Sequence, residues 1–230
     1  MTRPSVAAAL AFLLAACGRA PRSLARTPCA QDPSQPRPSF TVIVSSVPTA
    51  VRRDLDLAGV ARVQGGSENS DGGHTQGLTV VEHRLGYKTG VAVSEPLFRG
   101  PPCAYIASLS VDMTPGQVTI YVPSDYAPDS CEGVEILAHE RQHEEIHRRL
   151  LAQAAADVRV ALDRADGLPT LGRSVPVADR AEAERRFEKL IDGVVDPVYA
   201  GFKEELGREQ AEIDTPENYA RVTARCSGWK

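Results

Sequence analysis

Leu137-Ala138-His139-Glu140-Arg141-Gln142-His143, followed by Glu144, Glu145, Ile146 and His147, is the stretch whose reading decides the fold. His139 and His143 are four residues apart, so on a helix they lie one above the other on the same face. Both imidazoles can then reach a single cation, with Glu140 projecting beside it. This is the H-E-x-x-H pattern, in which two histidines hold a zinc ion and the glutamate acts as a base toward a water. With five histidines in the chain, chance produces the pattern in roughly one such sequence in a hundred. Context therefore decides, and it is favourable. The segment reads as helix, strands precede it, and the chain begins like an exported one.

Working outward, Val134, Leu137, Ala138, Ile146, Leu150, Ala154, Val158 and Leu162 keep near-helical spacing. They predict one helix from Cys131 to about Ala165. Asp129, with Glu132 three residues later, predicts a capping box at its start. Gly167 to Pro176 is a Gly/Pro connection. A second helix is expected from near Val177 to about Ile213, with Phe187, Leu190, Ile191 and Val194 as its apolar stripe and a kink or restart at Pro197. Upstream, Phe40 to Val47 reads as a strand and Pro48 to Val60 as a short helix carrying Val51, Leu55 and Leu57. Gln64 to Gly77 is a polar loop in which His74 is expected to be solvated. Leu78–Val81 and Gly90–Val93 suggest one pair of strands. Cys103–Val111 and Gln117–Val122 suggest another, joined through Thr114-Pro115-Gly116. The expected architecture is α+β: a small, mostly antiparallel sheet packed on a long helical hairpin that carries the histidine motif.

Two histidines do not complete a catalytic zinc centre, which normally has three protein ligands and a water. His147 lies about 12 Å along the axis from His139, too far for both to share one ion. It reads as a surface residue among Glu144, Glu145, Arg148 and Arg149. The third ligand should come from later in the chain. Antiparallel helices would place residues 195–205 opposite the motif, which nominates Asp196, Glu204 and Glu205. A Cys131–Cys226 bridge would instead draw in the tail from Glu212 to Tyr219. Each of these carboxylates also has an ordinary reading as a solvated helix or turn residue.

The N-terminus is not part of the domain. Arg3 precedes an apolar run, Val6 to Ala16, too short to span a bilayer as a helix but suited to a signal segment. Its ending, Leu14-Ala15-Ala16-Cys17, resembles the lipobox of bacterial lipoproteins, which implies cleavage before Cys17 and lipid attachment there. An ordinary secretory signal is the alternative, and either places the mature protein outside the cytoplasm. The expected division is a signal at 1–17, a Pro/Arg-rich tether at 18–39 and one domain at 40–230. Cys29, Cys103, Cys131 and Cys226 then remain, an even number that suggests two disulfides among three possible pairings. The pairing favoured is Cys131 with Cys226 and Cys29 with Cys103. The formal charge of −4 offers no concentrated basic surface for nucleic acid.

Taken together, the strands, the His139-Glu140-x-x-His143 helix and a later acidic residue resemble the zincin metallopeptidases. The chain is also loosely similar to uncharacterised secreted zinc-dependent proteases of bacteria. The specific part covers about residues 117–150. The resemblance implies Zn²⁺ held by His139, His143 and an acidic residue, with Asp214 first in order and Glu212 and Glu217 behind it. It further implies Glu140 as general base and Tyr219 as donor to the developing oxyanion. The metzincin extension is absent, because Ile146 and His147 do not supply its glycine and third histidine. No gluzincin acidic motif is clear. Asp214-Thr215-Pro216-Glu217-Asn218-Tyr219 is similar in flavour to the aspzincin segment, at a different spacing. The implied activity is hydrolysis of peptide bonds in the cell envelope, on a protein or a peptidoglycan peptide. The Val118–Val122 strand would pair with an extended peptide if it is a sheet edge. The alternatives are a metal-binding or structural lipoprotein without turnover, and a protein that anchors a partner through its charged second helix.

Overall fold

The computed structural model describes residues 29, 32, 34, 35, 37–65, 76–94 and 100–229. The signal segment with Cys17, the tether up to residue 28 and residues 66–75 of the loop, with His74, lie outside the described residues. No described helix is long and apolar enough to cross a membrane.

The described residues form two small mixed sheets and four helices. The first sheet contains β1 (Phe40–Ile43), β5 (Cys103–Asp112) and β4 (Gly86–Ser94) in that order, with β7 (Val175–Pro176) also on β5. β1 runs parallel to β5, while β4 and β7 are antiparallel to it. The second sheet is ordered β2 (Thr49–Arg52), β6 (Val118–Tyr121) and β3 (Leu78–Val81), with β2 parallel and β3 antiparallel to β6.

This corrects several expectations. There is no single antiparallel sheet, and neither expected strand pair forms. β3 and β4 belong to different sheets, as do β5 and β6. The Thr114-Pro115-Gly116 turn is present but passes the chain from one sheet to the other; Gly116 N donates to Glu82 O, extending the contact with β3. Thr49–Arg52 is a strand rather than helix, and the short helix comes later, as α1 (Leu57–Val63), capped by Asp56. β6 has a partner on each side, so it is no free edge for a peptide.

Two 34-residue helices dominate the rest, α2 (Cys131–Arg164) and α3 (Arg180–Ile213). The N-cap of α2 is Ser130, not the expected Asp129. Its Oγ accepts from Gly133 N at 3.0 Å and donates to Ala127 O at 2.8 Å. A serine cap satisfies one of the orphan amides of the first turn. Asp179 caps α3 in the same way, accepting from Glu182 N at 2.8 Å. Pro197 lies within α3, which continues through it.

The larger core joins α2, α3 and the first sheet through Ile106, Leu109, Val111, Val158, Leu162, Phe187 and Ile191, all essentially inaccessible. Each such side chain contributes about 1.5–3 kcal/mol by burial. A smaller cluster of Ile120, Val122, Tyr126 and Ile136 fastens the second sheet to the start of α2, with Trp229 against it. The disulfides are Cys29–Cys103 and Cys131–Cys226. The first, with Asp32 N donating to Gly172 O and Arg37 paired to Asp166 at 2.6 Å, holds the last part of the expected tether on the domain.

Candidate metal centre

His139, Glu140 and His143 are all buried on the first half of α2. Their spacing aims both imidazoles at the end of α3. Asp214 is the C-cap of that helix. It is followed at once by α4 (Pro216–Thr223), whose N-cap Thr215 accepts from Asn218 N at 3.2 Å. Asn218 Nδ2 donates back to Ile213 O at 2.5 Å. Asp214 therefore sits in a joint fixed by two helix ends.

The three groups converge. His139 Nε2 is 3.0 Å and His143 Nε2 3.1 Å from Asp214 Oδ1, and the two nitrogens are 3.2 Å apart. This is the one group of three or more such side chains, among the described residues, that can hold a metal ion. The donor set fits a cation. In a tetrahedral centre with bonds near 2.0 Å, neighbouring ligand atoms are about 3.3 Å apart, and the observed edges come close. Two ring nitrogens and a carboxylate oxygen crowd so many lone pairs together that one cation satisfies them better than shared protons do. One feature fits less well. A ligating histidine usually donates its other N–H, yet His139 Nδ1 is buried with no partner among the described residues.

The remaining nominees are elsewhere. Asp196 faces Tyr87, whose hydroxyl donates to it at 3.4 Å. Glu205 and Glu212 both pair with Arg208. Glu204 and Glu217 are exposed and outside the cluster. Counting back along α3 misjudged the register: Phe202 lies against His147 and Arg149 pairs with Glu209, so the motif meets the helix at its very end.

His147 requires the clearest correction. It is not a surface residue but only 4% exposed, packed against His83 and Phe202 at ring distances of 5.2 and 5.9 Å. It shares the face of His139 and His143, which was the sequence signal for its burial. Desolvation, followed by the neighbouring His83, pushes its pKa down to about 4.

The electrostatics tie the acids and bases together. Burial pulls Asp214 upward, but hydrogen bonds from His139 and His143 outweigh it and hold the carboxyl well below its ordinary range. Burial lowers His143, yet the hydrogen bond and charge of Asp214 leave it raised overall. Glu140 is raised, chiefly by burial, against the opposing pull of His143 and Thr79. The Thr79 hydroxyl lies 2.8 Å from Glu140 Oε2 and 3.0 Å from the Glu140 carbonyl, and can donate to either. Sequence reading missed Thr79 and also Gly77, whose bare α-carbon lets β3 approach the helix: a Cβ there would be 2.7 Å from Glu140 Oε1. Tyr219 stands over His139 with ring centroids 5.4 Å apart and donates to Asp214 Oδ1 at 3.0 Å. Burial, then the nearby Asp214 charge, raises the pKa of its hydroxyl.

A cavity of about 10 Å³ lies between Gln76, Gly77, Ile136, His139, Glu140, Tyr219 and Val222. That is about the space one water needs. A wider cleft of about 410 Å³, lined by Thr49, Val51, Arg141, Glu144 and Arg148 among others, contains none of the three donors. No protein-family model, curated protein or solved structure matches this chain.

Proposed function

We propose that the protein is a zinc-dependent hydrolase of peptide bonds in the bacterial cell envelope. In this reading the arrangement is zincin-like, with α2 and α3 as a helical hairpin packed on the first sheet and the start of α2 against the second. The observation that carries it is the convergence of His139, His143 and Asp214 beside the buried carboxylate of Glu140 and a water-sized cavity. When bound, zinc supplies Lewis acidity, which lowers the pKa of a water and polarises a substrate carbonyl.

The chain's own residues do the rest. His139 and His143 would hold the ion as neutral imidazoles, with Asp214 supplying negative charge. Glu140 takes a proton from the water and passes it to the leaving amine. When the Thr79 hydroxyl donates to Oε2, Oε1 is left for that proton. Burial raises the proton affinity of Glu140, which suits a group that must both accept and release. Tyr219 can donate to the developing oxyanion once it gives up its bond to Asp214. β3 ends its sheet among the described residues, so an extended peptide added to it would lie beside Glu140. The substrate is a protein or a peptidoglycan peptide, and a lipid on Cys17 would hold the enzyme to a membrane. Two disulfides accord with an oxidising compartment.

Glu140→Gln tests the reading. The variant should keep its zinc and lose about 10²–10⁴ in hydrolysis rate, the usual contribution of a general base. A variant as active as the wild type would remove Glu140 from the mechanism. The small size of the cavity beside the site, about 10 Å³, favours a second reading, a metal-binding envelope lipoprotein without turnover. That reading predicts bound zinc, no hydrolysis by the wild type, and a cellular phenotype that survives Glu140→Gln.

A further inference from the structure

Beyond Leu206, no residue of α3 is buried. Glu209 still pairs with Arg149 on α2, and Val222 lies beside Gln76 and Gly77, but the polar and ring contacts from Asp214 onward gather at the start of α2. Asp214 meets His139 and His143, and the Tyr219 ring lies against His139. Arg225 pairs with Glu135 at 2.7 Å, Gly228 N donates to Glu132 Oε1, and Trp229 packs on Tyr126. Every one of these partners lies on the first half of α2 or in the turn before it. One covalent bond crosses here too, the Cys131–Cys226 disulfide. A metal held by His139, His143 and Asp214 would be a second cross-link between the same two segments.

We propose that these two cross-links are thermodynamically coupled, so that the Cys131–Cys226 disulfide is a redox control on metal binding at the His139–His143–Asp214 site. The proposal rests on the metal-site reading above. With the disulfide closed, Asp214 is already held against α2. With it open, only the non-covalent contacts of the segment hold Asp214 against α2, and the added conformational freedom that metal binding must then remove weakens affinity. Linkage is reciprocal: bound metal protects the disulfide by the same factor by which the disulfide strengthens metal binding. Cys131 is exposed, whereas Cys29 and Cys103 are 5% and 8% exposed. A dithiol therefore reaches the Cys131–Cys226 bond first. In that step the S–S bond breaks, the dithiol gives two electrons and two protons to leave Cys131 and Cys226 as thiols, and is itself oxidised to a disulfide.

The test uses the full chain and Zn²⁺ as probe. Affinity is measured by chelator competition on the oxidised protein and on protein reduced with dithiothreitol and alkylated. Peptide mapping establishes that Cys131 and Cys226 are modified and that Cys29–Cys103 is intact. The expected result is zinc binding weaker by about tenfold or more, in the range seen when support around a metal site is lost, with circular dichroism unchanged. The zinc-loaded protein should also resist reduction, its potential lower by about 30 mV for each tenfold of affinity. The Cys131→Ser/Cys226→Ser variant should match the reduced protein, which removes any effect of the alkyl groups. If that variant does not fold, reduction of the wild type decides alone. Equal zinc affinity in the oxidised and reduced forms overturns the coupling and leaves the site standing. An oxidised protein that binds no zinc overturns both.

Discussion

His147 gives the prediction that can be worked furthest from the structure. The imidazole is 4% exposed, and its Nε2 has no hydrogen-bond partner among the described residues. Around it stand His83, Phe202 and, on its own helix, Glu144, with Lys203 beyond His83. Desolvation is the largest influence and takes the pKa from 6.5 to about 4. The sign follows from where the proton binds more tightly. The unfolded chain protonates His147 near pH 6.5 and the folded chain resists until about pH 4, so acid favours unfolding. The stabilisation is complete above pH 6.5 and drains away as pH falls toward 4. At about 1.4 kcal/mol per pH unit the full loss is about 3 kcal/mol, an upper bound because water entering the site would soften it. His147→Leu removes the titrating group and keeps an apolar filling. Urea denaturation of wild type and variant at pH 7 and pH 4.5, in chelator so that His139 and His143 bind no metal, gives a double difference in which the shared carboxylates cancel. Because pH 4.5 stops short of the folded pKa, the wild type should lose up to about 2.4 kcal/mol more than the variant on this acidification. Equal losses would refute the claim that His147 is buried neutral.

Three further outcomes are expected. Gly77→Ala places a Cβ 2.7 Å from Glu140 Oε1 and Ile136 Cγ2; denaturant melts should show about 1–3 kcal/mol of destabilisation, while metal analysis shows zinc retained and hydrolysis falls. An unchanged melt would mean that β3 has slack. Thr79→Val removes the hydroxyl beside Oε2 and should lower turnover with zinc content intact, whereas Thr79→Ser restores it; equal turnover in Val and Ser variants would discount the contact. Ser130→Ala removes the cap of α2 and should cost about 1 kcal/mol in chemical denaturation, with little cost only if Asp129 takes over the role.

The helices were legible because their apolar residues repeat without a break. Val158 and Leu162 on α2, and Phe187 and Ile191 on α3, are core residues and set the helix bounds to within a few residues. The choice between Asp129 and Ser130 as cap was not legible, since both residue types suit the position. Strand pairing was misread for a reason local patterns cannot reveal. β3 skips the strand that follows it and pairs with β6, while β4 pairs with the next strand, β5, so the chain leaves one sheet and returns to it. The Thr49–Arg52 segment is a mostly exposed edge strand, so its only apolar signal, Val51, fitted a helix equally well. His147 was misjudged because four charged neighbours outweighed its place on the His139–His143 face. Asp214 was reached through the cysteines: bringing Cys226 to Cys131 brings the tail to the motif, and helix counting alone pointed elsewhere.

The most direct test of the central claim is the zinc content of the purified full chain, for wild type, His143→Ala and Asp214→Ala, after equilibration with limiting Zn²⁺. One tightly held zinc per wild-type chain is expected, and its loss in both variants, with circular dichroism unchanged. A wild type without zinc, or an Asp214→Ala variant that holds it as tightly as the wild type, would contradict it.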